Sequence, residues 1–229
     1  MRLGVYSDNR TQEDGKMLTL ELAKRVSQTV AALGLRVNLP QGPRFGLGYR
    51  EELRLRDGMV LRFAVPSPED REMFIRGFAE LSPESRRKRF LGPKNGLTES
   101  ELDYLTAIDG DRHYAISISA PGIDGGQAAP VGVGRFIRDS DEPEVAEFAL
   151  TIVDRWQGRG IGRLLLDRLI EAALERGITC FRGHVLSDNL AMLGLLGDRL
   201  DAGRYRQDGD VIMVDVPLRP ERGSLAFGF

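Results

Sequence analysis

The residues of this chain that could do chemistry gather in one stretch. Gly158, Gly160 and Gly162 stand at alternate positions among Gln157, Arg159, Ile161 and Arg163. A strand-like run, VAEFALTIV (145–153), precedes them, and a strongly apolar helical pattern follows at once. Glycines let a backbone approach an anion closely and aim several N–H groups at it. A helix beginning near residue 161 would add the positive end of its dipole. Arg155, Arg159 and Arg163 add cationic charge nearby. A pyrophosphate suits such a turn; the alternative is a glycine turn that only packs a helix tightly on a sheet. The two commonest phosphate loops do not match. The G-x-G-x-x-G pattern fails because position 163 is Arg, and Arg182 stands where an acidic ribose ligand is expected. No Gly-Lys-Ser/Thr completes a P-loop.

A second candidate lies in the strand before the turn. Glu147 sits in EVAEFALTIV (144–153), an apolar run where an acid is out of place. Burial there would raise its pKa toward that of a useful general base. The competing reading is a solvent-facing position on a half-exposed strand. Glu144 has the opposite parity, so only one of the two shares a given face. His113 and His184 stand in strands, where a lone histidine is more often hydrogen-bonded structure than a catalyst. Cys180 reads as a small core hydrophobe. Arg86-Arg87-Lys88-Arg89 reads as a solvated helix face or as a rim that attracts anions. Ser187-Asp188-Asn189 is a good N-cap cluster for a following helix.

These residues need a frame. YREELRLRDGMVLRFAV (49–65) alternates about Asp57-Gly58 and reads as a hairpin. Three helices should follow, over 67–81, 82–90 and 98–108. The first carries Ser67 at N-cap, Pro68 at N1 and Asp70 at N3, and the third a capping box, Thr98 with Glu101. Strands follow at 113–120, 130–137 and 144–153, antiparallel and joined by short connections. The helix after the glycine turn repeats Leu165, Leu166, Leu169, Ile170, Ala173 and Leu174 on one face. The strand at 179–186 should then lie parallel to the strand before the turn. A helix over 187–200 and a hairpin over 204–218, turning at Asp208-Gly209, close the domain. The fold class is α/β of α+β character: a mixed, mostly antiparallel sheet with flanking helices and one βαβ crossover.

The chain of 229 residues suffices for one good-sized core with an appendage. Its net charge of -2 argues against a general nucleic-acid binder. One cysteine allows neither an internal disulfide nor a cysteine-based zinc site, so no metal is expected. No run reaches the roughly 18 apolar residues of a membrane helix, and the first residues lack a signal-peptide core. A cytoplasmic protein without membrane attachment is the expectation. MLTLELAKRVSQTVAALGL (17–35) reads as an amphipathic helix, and NLPQGPRFGLG (38–48) as a linker. That helix could pack on its own domain, on a second copy as a homodimer element, or across a cleft.

Gln157-Gly158-Arg159-Gly160-Ile161-Gly162 matches the (Q/R)-x-x-G-x-(G/A) signature of the GNAT superfamily of N-acetyltransferases. The strand before it, the helix after it and Asn189 also fall where that family places them, and the resemblance covers about residues 50–218. LSPESRRKRFLGP (81–93), LTESELDYLTAIDGDRHYAI (97–116), AEFALTIVDRWQGRGIG (146–162) and VLSDNLAM (185–192) look like the acetyltransferase domain of bacterial Pat-type protein lysine acetyltransferases. The resemblance implies acetyl-CoA as cosubstrate, with its pyrophosphate on Gln157–Arg163, and a 1–48 extension, a 49–218 catalytic domain and a 219–229 tail. It implies direct acetyl transfer to a primary amine, a protein lysine such as one of an acetyl-CoA-synthetase-like protein, or a small amine. Glu147, in the family's A-E-x-A stretch, would be the general base. Two parallel strands would splay beside it, leaving a backbone N–H near Phe148 to Leu150 for the thioester carbonyl and the backbone near Ile152 and Val153 for the pantetheine arm. Asn189 would touch that arm, and the basic run could meet the coenzyme's 3'-phosphate. The family's general acid, a Tyr seven residues after that Asn, is replaced by Leu196. That departure keeps open a non-catalytic acyl-CoA-sensing module.

Overall fold

The computed structural model describes residues 43–122, 126–200 and 204–218. The helix read over 17–35 and the tail 219–229 lie outside the described residues. Among the described residues eight strands form one sheet: β1 (Arg50–Arg54), β2 (Val60–Ala64), β3 (His113–Ala120), β4 (Ala129–Arg138), β5 (Val145–Ile152), β6 (Cys180–Leu186), β7 (Arg204–Asp208) and β8 (Val211–Pro217). Their spatial order is β1-β2-β3-β4-β5-β6-β8-β7. Among the described strands only β5 and β6 pair in parallel, with a helical crossover returning the chain from the end of β5 to the start of β6. The helices are α1 (Arg71–Ala79), α2 (Pro83–Phe90), α3 (Glu99–Thr106), α4 (Ile161–Glu175) and α5 (Leu190–Leu200). The mixed, mostly antiparallel sheet with one crossover is the architecture the patterning implies.

Local chemistry fixes the helix starts. Ser67 and Asp70 form a reciprocal box around a 3-10 turn, Pro68–Asp70, which leads into α1. The Ser82 hydroxyl accepts from the Ser85 N–H (3.1 Å), with Pro83 opening α2. Thr98 and Glu101 cap α3 reciprocally. Helix α4 buries Leu165, Leu166, Leu169 and Ala173 against the sheet. A Cβ at Gly134 of β4 would meet Leu165 at 3.2 Å, so α4 sits close on that strand.

The compact unit that holds the sheet begins at Pro43. Phe45 is 1% exposed, and the Arg44 and Phe45 N–H groups donate to the Glu175 carboxylate of α4. Phe45, within the stretch read as a linker, therefore packs in the core, while Pro43, Arg44, Leu47 and Gly48 are exposed. The Pro and Gly content of that stretch signals a turn but not what the turn lies against.

Candidate active site

The site begins where the sheet opens. The Val153 N–H donates to the Val131 carbonyl, and the Asp139 N–H to the Val145 carbonyl, both at 2.9 Å. Antiparallel alternation then turns the backbone groups of odd β5 residues toward β4, and those of even residues toward β6. Strand β6 meets β5 only at Val145↔Cys180, Ala146↔Phe181 and Glu147↔Arg182. Beyond that point β6 follows β8 as far as Leu186↔Val211, and among the described residues no strand pairs with this edge of β5. The backbone groups of Leu150 and Ile152 therefore face a gap. Phe148, the first residue past the pairing, lays its ring over Gly183: a Cβ there would come within 2.6 Å of the ring. The same ring stacks on Phe181 with centroids 5.2 Å apart.

The gap is the floor of a cleft of about 760 Å³, walled by α2, β5, the glycine turn, β6 and the start of α5. The turn runs through a 3-10 segment, Asp154–Trp156, to Gly158 (φ 72°) and Gly160 (φ 77°), both left-handed. Glycine adopts that region without the cost other residues meet. A Cβ at either would point into open space, so the backbone there is bare toward the cleft. No side chain caps α4, so its start presents backbone N–H groups and the positive dipole end. The Gln157 amide donates to the Ile152 carbonyl (2.9 Å), tying the turn to the strand end. The Asp154 carboxylate accepts from Ser82 N–H (3.1 Å), Ser82 Oγ (2.6 Å) and Ser85 Oγ (2.9 Å). Burial pushes its pKa up, but these bonds outweigh burial and hold it below the usual range. One carboxylate thus fastens the segment leading into the glycine turn to the start of α2.

Glu147 is exposed, which corrects the expectation of a buried acid. The even β5 residues Ala146, Phe148, Leu150 and Ile152 fill the core, and Glu147 belongs to the odd face, where it lines the cleft at the last β5–β6 pair. Its charge acts on Arg89 of α2, whose guanidinium burial holds below its ordinary pKa despite that carboxylate. Arg135, on the same face of β4, is buried; burial and the charge of Arg89 pull it down to about 9. Its Nη1 donates to His113 Nε2 (3.1 Å) and its Nη2 to the Leu105 carbonyl (3.3 Å). Burial, then Arg135, lowers His113 to about 4.

A family model described as the acetyltransferase (GNAT) family matches residues 76–200, more than half of the chain. The chain belongs to the GNAT acetyltransferase family. Over 169 residues it is 34% identical to the acetyltransferase Pat of Mycolicibacterium smegmatis, covering 74% of this chain and 48% of that protein. It thus spans about half the length of that curated relative. An acetyltransferase of Pseudomonas aeruginosa is 29% identical over 151 residues, covering 63% of this chain and 80% of the other. The solved GNAT domain of S. lividans PAT shares the fold, with a TM-score of 0.64 at 24% identity over 74% of this chain and 97% of that one.

Within this GNAT domain, Leu150, Ile152, Gln157, Gly158, Gly160, Gly162, Arg163 and Asn189 line the cleft with Glu147. Three residues expected there do not. Val153 has its N–H taken by β4 and faces another cavity. Ile161 is 1% exposed and anchors α4 in the core. Arg159 lies over the Trp156 ring, 5.2 Å from its centroid. Asn189 Oδ1 accepts from the Met192 N–H (3.2 Å), so it caps α5 while it lines the cleft. Leu196 is fully buried. The basic run is a half-exposed face whose cations are engaged. Arg86 lies over Phe78, Arg87 pairs with Glu84 and with Asp188 across the chain, and Lys88 pairs with Glu84. His184 is exposed and lines the cleft.

Sequence reasoning missed the fastening role of Asp154 and the wall made by Trp156, whose buried indole N–H has no partner among the described residues. Both sit in VDRWQGRG, between motifs that were read, so their position was the available signal. The Phe148–Gly183 contact spans the crossover and leaves no local mark. Among the described residues no helix is long and apolar enough to cross a membrane.

Proposed function

We propose that this chain is an acetyl-CoA-dependent N-acetyltransferase that moves the acetyl group directly onto a primary amine within a ternary complex. The observation that carries this is the coincidence at one point of the sheet. Strand pairing ends at Glu147, backbone groups of Leu150 and Ile152 are turned into the gap, and the bare glycine turn stands at its far end. Acetyl-CoA supplies an activated acyl group on a long, doubly phosphorylated arm. The N–H groups around Gly158–Arg163 suit its pyrophosphate. The Ile152 carbonyl is already held by Gln157, so the Leu150 carbonyl and the Ile152 N–H are left to pair with the arm. The Leu150 N–H is the donor for negative charge developing on the thioester oxygen.

An amine acceptor must first lose a proton, since a lysine near pKa 10.4 is charged at neutral pH. Glu147 accepts it. Its exposure opens a path for that proton to solvent. With Leu196 in the core, no side chain there protonates the departing thiolate, which leaves to solvent.

A protein lysine is the preferred acceptor. Of the acids lining the cleft, Glu84 is paired with Arg87 and Lys88, and Asp154 is held by serines, while Lys88 and Arg89 line the same wall. A polycationic small amine would meet these positive groups with Glu147 alone to receive it. Free-thiol release from acetyl-CoA against small amines and an acetyl-CoA-synthetase-like protein tests this. Release greatest with the protein supports a lysine acceptor; release greatest with a polyamine refutes it.

A further inference from the structure

A second cavity, of about 80 Å³, lies between helices α1–α3 and the sheet. Its walls are mostly apolar, with Met73, Phe74, Phe78 and Val133 among them; Arg89 and Arg135 are the charged residues of the lining, and Ser117 and Thr151 add hydroxyls. Arg89, Phe90 and Thr151 line both this cavity and the cleft, so the two spaces adjoin one residue from Leu150.

Arg135 does not fit a purely apolar packing role. It is 4% exposed. Its two hydrogen-bond partners, His113 Nε2 and the Leu105 carbonyl, are uncharged. Among the described residues it forms no ion pair with a carboxylate. The strongest charge effect on it comes from a second cation, Arg89. A buried guanidinium without a counter-ion costs several kcal/mol. It has five donors, of which these bonds use two. The carboxylate that serves Arg89, Glu147, belongs to the cleft and not to this cavity.

We propose that this cavity receives a carboxylate carried on a short apolar stem, bound by Arg135 and Arg89. Two sources share that chemistry. One is the far carboxylate of a short dicarboxylic acyl group on the coenzyme A thioester; the other is the carboxylate of an amine acceptor. How the group arrives rests on the proposed acyl transfer, but its binding does not.

The first test needs no turnover and no variant. Thermal unfolding of the wild-type chain is followed with butyrate and with butyramide, its uncharged counterpart of like shape. Stabilisation by butyrate and not by butyramide supports the site; equal effects overturn it. The donor arm compares succinyl-CoA with butyryl-CoA by calorimetry, and the acceptor arm compares glycine with methylamine by KM. A preference of about 10-fold or more for the carboxylate in either arm is expected, the worth of charge-assisted hydrogen bonds. Arg135→Lys should keep part of it and Arg135→Met should lose it. No preference in either arm, with acetyl-CoA still bound, refutes the proposal and leaves the acetyltransferase reading intact. Loss of all thioester binding refutes that reading instead, while the butyrate comparison still decides the cavity.

Discussion

Replacing Gly183 by alanine should loosen the fold at the place where the sheet opens. In an ordinary strand position the change would gain about 0.5–1 kcal/mol, because alanine has less backbone freedom to lose. Here the new Cβ would stand 2.6 Å from Cε1 and 3.3 Å from two further atoms of the Phe148 ring. A ring at the end of a free side chain could swing away cheaply. This one is 6% exposed, stacked on Phe181 at 17° between planes, and Phe181 packs in turn on Phe136. Overpacking of such a site costs about 1–3 kcal/mol, so the net loss should be roughly 0.5–2 kcal/mol. Urea unfolding of Gly183→Ala measures it. The double variant with Phe148→Leu, which removes the ring, should cancel most of the clash and show a coupling of about 1 kcal/mol. A Gly183→Ala protein as stable as wild type, with no coupling to position 148, would refute the placement of Phe148 over β6.

Three further outcomes follow from the same geometry. Asp154→Asn keeps the shape but cannot accept all the bonds from Ser82 and Ser85; it should cost about 2–3 kcal/mol, read as a fall in Tm of roughly 4–12 °C. His113 is held near 4 in the fold against 6.5 in the open chain, so the unfolded state binds more protons between those values. Stability is then full above about pH 6.5 and falls toward pH 4, by up to about 3 kcal/mol, and His113→Gln should flatten that limb in urea titrations. Gly160→Glu should abolish coenzyme A binding by calorimetry, whereas Gly160→Ala, which meets the same left-handed strain of about 1–2 kcal/mol without the charge, should retain it; equal loss in both would mean that strain and not anion repulsion is responsible.

The frame was legible because its signals are local. Capping residues Ser67, Ser82 and Thr98, the turns at Asp57-Gly58 and Asp208-Gly209, and the apolar repeat of α4 each act within a few residues. The glycine turn was legible for the same reason. Glu147 stands out by its oddity in an apolar strand, but its exposure does not follow from that oddity. Periodicity gives parity, and which parity faces the cleft depends on where β6 departs. The departure itself, the ring of Phe148 over Gly183, the fastening by Asp154 and the fate of the basic run all join residues far apart in the chain. Arg89 illustrates the point. Within a charge run it reads as solvated, and only the fold brings it within electrostatic reach of Glu147 and Arg135.

The measurement closest to the central claim compares wild type with Glu147→Gln in free-thiol release from acetyl-CoA, using the best acceptor, with coenzyme A affinity determined by calorimetry on both. Glu147 lines the cleft away from the glycine turn and carries no part of the core, so fold and cofactor affinity should be unchanged. Turnover should fall about 100-fold or more at neutral pH and recover in part as pH approaches the pKa of the amine. Unchanged turnover in Glu147→Gln, with cofactor still bound, would contradict the assignment of Glu147 as the base.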